Sequence, residues 1–387
     1  MPINYLSLQP QITQMAVAAN TRKTEIESRL EQCRHTLDEY ANEIPALQQK
    51  VEKAISDEKS LRCAVPVSEA LTAHLAAAEI NDPYTILAAD GSQITPNPHE
   101  AVFYGLVNVG VFRMTIGKGE TPQTNTWSDL IYEESDPDNR EIISEDLISL
   151  RRDVFEREIL SRLAKQEQAP LLTLTDGPLE LYHEPREDKN FRNYFKKYIN
   201  ALNELALLNT ITAGYIDRPR AALLVNLLEL VAPPGPNGET PDHPFAGVSD
   251  LALMAGLLQP EERSAVFALQ SRSASQFEDQ ISLHFFYLNV GTTARPSIAR
   301  VEVPRWVAYS NHSINLLHAA LVSQARQAGA APYPYALLRA HETAVVKMDE
   351  HEYLDALIQT ELISQGLPPA FNSDKLIHKL TGKRTRY

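Results

Sequence analysis

From Leu30 the apolar positions Leu30, Cys33, Leu37, Tyr40, Ile44, Leu47, Val51 and Ala54 recur in steps of three and four, the spacing of a helical seam. Pro45 interrupts that seam, because proline within a helix removes a hydrogen bond and clashes one turn back. The pattern predicts two helices meeting near Asn42 to Ile44, an N-terminal helical hairpin that packs on its own domain or on a sister chain. After Pro83 the texture changes to short apolar runs bounded by turn residues, "TILAAD", "VFYGLVNVGVFRM" and "LLTLTD", which read as strands. Between the last two, "ISEDLISLRRDVFEREILSRLAKQ" has a helical period.

Further on, "FRNYFKKYINALNELALLN" reads as helix, "TITAGYID" as strand, and "PRAALLVNLLELV" as a helix opened by Pro219. "APPGPNGETPDHP", residues 232–244, is a loop by composition and is expected to be a flexible insertion. Then "ISLHFFYLNV" and "SIARVEVPRWVA" form an expected strand pair, followed by helices at "NHSINLLHAALVSQARQ" and "YALLRAHETAVVKM". Strands and helices alternate without a repeat. The class is therefore α/β with a mixed sheet flanked by helices and an N-terminal helical extension, divided as residues 1–80 and 81–387.

Composition narrows the picture. The 387 residues, 43% of them apolar, suffice for a substantial core. No apolar run reaches the roughly 20 residues of a membrane span, and the N-terminus lacks the basic start and apolar centre of a signal peptide, so no membrane partner and a cytoplasmic location are expected. The two cysteines, Cys33 and Cys63, are too few for a disulfide framework or a cysteine zinc site within the chain. Any metal must then sit on oxygen or imidazole. A formal charge of −14 argues against general nucleic-acid binding, which basic side chains carry. That charge is an average, however, and a carboxylate site holding divalent cations presents positive charge to a phosphate once loaded.

Two carboxylates stand in matching contexts. Asp90 follows "ILAA" and Asp176 follows "LLTLT", and each precedes a glycine. Asp-Gly is the strongest short turn signal, so either acid alone would be read as the start of a turn. The repetition points instead to two acid-tipped strands, each ending in a glycine turn, whose carboxylates face one another if the strands are neighbours. Ionised carboxylates at that separation repel and need a cation or a shared proton between them. On the intervening helix, Phe155, Ile159, Leu160 and Leu163 form the apolar stripe, with Arg152 and Glu156 inside it and Glu158 pointing away. Arg152 and Glu156 are spaced to pair with each other, while a helix lying between two acid-tipped strands also aims Glu156 at the same cation.

The C-terminal "PYPYALLRAHETA" places Tyr333 and His341 eight residues apart, about two helical turns, so that both project from one side. Imidazole binds metal or shuttles a proton near neutral pH, and a tyrosine hydroxyl orients a water or a phosphate oxygen. Arg218 in "YIDRPR", Arg263 in "PEERS" and Lys375 in "SDKLIHK" are candidate phosphate contacts.

The ordered set "AADGS", an Arg and Glu on an intervening helix, "TDGPL", "GYIDRPR", "PYPYALLRAHETA" and "NSDKL" resembles the NurA nucleases, partners of the HerA helicase in processing DNA ends. The resemblance covers most of the chain from about Tyr84 onward and implies an RNase H-like fold, a homodimer with a central DNA channel and a HerA-type hexameric ATPase as partner. It also implies manganese-dependent (or magnesium-dependent) cleavage of DNA, with single-strand 5′ to 3′ exonuclease and endonuclease activity. By motif, Asp90 and Asp176 take the places of the family's strand-end acids, Glu156 that of its helical glutamate with Glu158 close by as the alternative, and Tyr333 and His341 those of its aromatic and imidazole. "TDGPL" departs from the family in the proline after its glycine.

On this reading Asp90, Glu156, Asp176 and His341 hold the metal, Tyr333 positions the phosphate or its water, and Arg218 and Lys375 meet DNA. A non-catalytic DNA-end clamp or helicase adaptor of the same fold is the alternative. An aspartyl phosphotransferase lacks the second aspartate that its pattern needs two residues on, where Ser92 and Gln93 stand.

Overall fold

Pro45 sits where its missing amide costs least. Helix α1 (Tyr5–Glu39) closes at Tyr40, and α2 (Ile44–Asp57) begins with the proline in its first turn, so the expected hairpin forms with its break where the seam is interrupted. Cys33, Leu37, Leu47 and Val51 of the seam are buried. Helix α1 reaches back to Tyr5, far beyond the seam. Its early apolar residues Tyr5, Leu6, Ile12, Met15 and Val17 are exposed, so no apolar face marks that part of the helix in the sequence.

The structure, a computed structural model, describes residues 4–57, 60–96, 102–132, 143–181, 189–234, 242–329 and 331–366. After the hairpin come β1 (Cys63–Pro66), β2 (His74–Leu75), β3 (Tyr84–Ile94), β4 (Tyr104–Ile116), β5 (Gln123–Tyr132), α3 (Glu145–Ala164), β6 (Leu171–Asp176), α4 (Lys189–Leu207) and β7 (Ile211–Asp217). There follow α5 (Leu223–Glu229), α6 (Asp250–Leu257), β8 (Arg263–Ser264), β9 (Phe267–Gln270), β10 (Leu283–Asn289), β11 (Ile298–Pro304), α7 (Arg305–Ala308), α8 (Asn311–Gln327), α9 (Tyr335–Ala344) and α10 (Met348–Ser364). Among the described residues no helix is long and apolar enough to cross a membrane, and both cysteines are buried free thiols.

The chain divides into two units. The first comprises Met1–Ile80, Gly177–Glu180 and Ala213–Pro334. Its strands run in the order β1-β9-β10-β11-β7, every pairing antiparallel, and β8 pairs with β2 and β10. The expected strand pair is β10 and β11, and β10 is buried on both faces, with Phe285 and Tyr287 on one and Phe286 on the other. The helix expected to open at Pro219 instead begins at Leu223. Its first amides, of Leu224 and Val225, donate to the buried Asp250 carboxylate at 3.0 and 2.9 Å, so a distant acid caps the helix rather than the proline. Arg263, a candidate phosphate contact by sequence, is buried and held by Glu69 at 2.9 and 3.0 Å, and it belongs to the structural framework.

The second unit comprises Asn81–Asp176, Leu181–Thr212 and Tyr335–Tyr387. Its strand order is β6-β3-β4-β5, with β6 parallel to β3 and the other pairings antiparallel. Thr173 of β6 and Thr212 of β7 share a hydroxyl hydrogen bond of 2.9 Å, which sets the start of β7 beside β6. A three-strand antiparallel meander followed through a helix by a parallel strand is the mixed, RNase H-like α/β arrangement expected. Strand β5, "QTNTWSDLIY", is almost wholly exposed and alternates too few apolar residues to be read from its sequence.

Helix α3 is buried on two sides because it lies between the sheet and α4. Leu147, Ile148, Leu150, Val154, Ile159, Leu160 and Ala164 are buried, while Phe155 and Leu163, assigned to its apolar stripe, remain partly exposed. Helix α9 stops at Ala344 although the apolar period runs on to Met348. The Ala344 carbonyl is taken by the Ser92 hydroxyl at 2.5 Å and the Asn108 amide at 2.7 Å, which draws the last turn onto β3 and β4.

Candidate active site

The glycines after the two acids differ in kind. Gly177 has φ +95°, a left-handed turn that a side chain would strain, and it ends β6 as the sequence predicts. Gly91 is no turn. Strand β3 continues through it to Ile94, and every residue from Tyr84 to Ile94 pairs with β4. Gly91 is required for space: a Cβ there would lie 2.5 Å from Arg152 Cγ and 2.6 Å from Glu156 Oε1. Helix α3 thus presses those two side chains into the notch that Gly91 leaves in the strand.

Asp90 faces the other way, since neighbouring strand residues alternate between faces. Its cross-strand partner on that face is Gly110. A Cβ on Gly110 would lie 2.5 Å from the Ala344 nitrogen and 2.7 Å from the Ala340 oxygen, so α9 rests its backbone on the sheet there. This close seating brings His341 Nδ1 to 2.7 Å from Asp90 Oδ2. The His341 side chain is 59% exposed and that of Asp90 only 14%.

Asp176 follows the last parallel pair of β3 and β6, Ala89 with Thr175. Asp90 and Asp176 are therefore the next residues of two neighbouring strands, on the same face, with strands about 4.8 Å apart. Asp90 is partly buried, whereas Asp176 is exposed.

Glu156 is 6% exposed. Its carboxyl is pushed well above the usual carboxylate range, first by burial and then by the negative charges of Asp153 and Asp90, against the opposing pull of Arg152 and Arg157. Arg152 Nε stands 3.8 Å from Glu156 Oε1, the pairing that their spacing on the helix permits. Glu158 is only partly buried, so the helix turns Glu156 inward in its place.

Two further residues shape the surroundings of Glu156, and the first carries no signal in the sequence. Asp153, one position from Arg152, accepts from its Nη2 at 3.0 Å and adds to the field around Glu156. Arg157 is buried, donates through Nη2 to the Thr175 hydroxyl at 2.7 Å, and lies 5.6 Å from the Tyr198 ring centre. Its spacing from Leu150, Val154 and Ser161 in steps of three and four does mark a second buried face of the helix.

Three candidates remain. Tyr333 belongs to the first unit and precedes α9 rather than sharing a helical face with His341, and its ring stacks edge-on against Tyr215 at 5.4 Å. Arg218, in the first unit, has φ +45° and a side chain 75% exposed, 3.9 Å from Asp217. Lys375 and most of the 232–244 loop lie outside the described residues.

A meander followed by a parallel strand, with acids along its paired central strands and an imidazole above one of them, defines a mixed α/β protein of RNase H-like build. The family model described as the NurA domain matches residues 84–346, more than half of the chain, and the chain belongs to that family. Among solved structures, the NurA nuclease from Sulfolobus solfataricus is similar over 85% of this chain and 94% of its own, with 11% identity and a TM-score of 0.51. The catalytic domain of human endonuclease V covers 84% of this chain and 99% of its own at 13% identity and a TM-score of 0.32. A Ciona intestinalis endonuclease V in complex with an inosine-containing DNA covers 70% and 87% at 9% identity and a TM-score of 0.31. No curated protein sequence matches.

Proposed function

We infer that this protein is a metal-dependent DNA nuclease, cutting single strands 5′ to 3′ as an exonuclease and also as an endonuclease. The observation that carries the reading is the setting of Asp90 and Glu156 about one strand position, the first bonded to His341 and the second buried among like charges. A buried glutamate whose pKa is raised first by burial and then by neighbouring carboxylates carries an unfavourable charge that a cation would relieve. Family membership and the likeness to a NurA nuclease structure support the same chemistry.

The donors are carboxylate oxygens and imidazole, the chemistry a hard divalent cation takes. Among the described residues, no three or more His, Cys, Asp or Glu side chains are gathered as a closed metal group. Asp90 and Asp176 from one face of the sheet, with Glu156 reaching past Gly91 from the other, would hold Mn²⁺ or Mg²⁺, and His341 Nε2 would either complete that shell or carry a proton. The cation would lower the pKa of a water and neutralise charge growing on the scissile phosphate. Asp90 fixes the imidazole through Nδ1, so that His341 Nε2, when it is not on the cation, would take a proton from the attacking water or return one to the leaving oxygen. Tyr333 would position the phosphate or its water, and Arg218 and Lys375 would meet the DNA backbone.

In the cell the protein would act as a homodimer in DNA end resection for double-strand break repair, in the cytoplasm, fed by a HerA-type hexameric ATPase. The open grouping of the carboxylates favours a second reading, a non-catalytic DNA-end clamp of the same fold. Purified protein incubated with labelled single-stranded DNA and Mn²⁺ separates the two. Cleavage lost with EDTA and with Asp90→Ala supports the nuclease; binding without cleavage under Mn²⁺ or Mg²⁺ leaves the clamp.

A further inference from the structure

Helix α3 carries four arginines in the described structure, and three have fixed occupations. Arg151 donates to Asp129 at 2.6 Å and to the Tyr194 hydroxyl at 2.5 Å. Arg157 is buried against Thr175 and Tyr198, and Arg162 lies 5.7 Å from the Trp127 ring centre. Arg152 is held differently. Its contacts are spread over three residues, at 3.0 and 3.3 Å to a single oxygen of Asp153, 3.3 Å to Gln93 Oε1 and 3.8 Å to Glu156. None is a two-oxygen fork, and 32% of the side chain is open to solvent.

Its stem is nonetheless seated with care, because the space that Gly91 leaves is filled by Arg152 Cγ and Cδ. A guanidinium delivered beside catalytic carboxylates, with its planar fork unmatched, suits the oxygens of a phosphate better than the partners it has. It also supplies positive charge where the strand must pass, in a chain of net charge −14.

We propose that Arg152 binds a backbone phosphate of the nucleic-acid strand next to the scissile bond. This assignment rests on the nuclease reading. In the free protein Asp153, Gln93 and Glu156 hold the guanidinium in readiness. When the strand arrives, the guanidinium exchanges these divided contacts for a fork on the phosphate, so Arg152 sets affinity and register rather than performing proton transfer.

The test measures binding of wild type and Arg152→Gln to a labelled single-stranded oligonucleotide in EDTA across a salt series, alongside steady-state cleavage with Mn²⁺. Loss of one phosphate contact makes the slope of log Kd against log salt shallower by about 0.7. KM is expected to rise about tenfold, the scale of one charge-assisted contact, with kcat changed much less. Arg152→Lys keeps the charge and therefore the slope, with a smaller rise in KM, and it serves as the control should the glutamine variant melt early. A slope and KM equal to wild type, with only a lower melting temperature, overturn the assignment and leave the nuclease reading standing. Protein that binds the strand but never cuts it removes the nuclease reading, and the slope still decides Arg152.

Discussion

His341 Nδ1 lies 2.7 Å from Asp90 Oδ2, across 251 positions of sequence, and the two meet only because a glycine opposite Asp90 lets α9 touch the sheet. An imidazole fixed at Nδ1 presents Nε2 to solvent in one tautomer, which makes the pair a unit rather than two separate contributors.

That unit predicts non-additivity. His341→Ala is expected to lower cleavage of single-stranded DNA about a hundredfold, the usual worth of a positioned proton carrier, and Asp90→Ala at least as much. The double variant should be little worse than Asp90→Ala alone. Single-turnover rates with Mn²⁺ check this, and a product of the two separate losses would show that the residues act independently.

The two glycines should be sensitive to the same added methyl group for different reasons. Gly91→Ala drives a Cβ against Arg152 and Glu156, so overpacking should cost about 1–3 kcal/mol and cleavage should fall with it. Gly177→Ala meets nothing within 4 Å and should cost only the left-handed backbone strain, about 1–2 kcal/mol. Urea unfolding of both variants, with cleavage assayed in parallel, separates a spatial defect from a conformational one.

Glu156→Gln should stabilise the fold while impairing function. The raised folded pKa means that ionising Glu156 opposes folding, so the penalty is present at alkaline pH, shrinks as pH falls through the raised value, and is gone below the ordinary carboxylate range. The glutamine variant should therefore melt a few degrees higher than wild type at pH 8 without added cation, lose that advantage in acid, and cut poorly. Melting curves against pH that coincide for the two proteins would contradict the buried-charge account.

His318 supplies a second titration, in the first unit. Burial pushes its imidazole down to about 4, with Glu261 backbone oxygen accepting at 2.8 Å and Arg263 adding an unfavourable charge. A lowered pKa makes the unfolded chain bind the extra proton, so stability falls as pH drops from about 6.5 toward 4, by on the order of 3 kcal/mol in all. His318→Gln should flatten that acid limb, as read by chemical unfolding at a series of pH values.

What the sequence made legible follows physical lines. Strands β3 and β6 announce themselves as apolar runs, and α8 as a helical period with the expected bounds, because each buries a continuous face. The edge strand β5 and the early part of α1 bury too little to leave a pattern. At the site, Asp90, Asp176 and Glu156 were visible as acids in apolar surroundings. Reading Gly91 as a turn failed because close approach by a helix and a positive φ call for the same residue type, and only the pairing of β3 with β4 tells them apart. Asp153 and the hold of Ser92 and Asn108 on Ala344 depend on tertiary contacts that no spacing rule encodes.

The absence of a side chain at position 110 works as a ruler. It fixes the standoff between helix and sheet at the thickness of two bare backbones, and a single carbon there would lift the imidazole beyond hydrogen-bond reach of its carboxylate while leaving both reactive groups chemically intact. On the nuclease reading, proton transfer would thus be silenced from a position that bears no reactive atom at all.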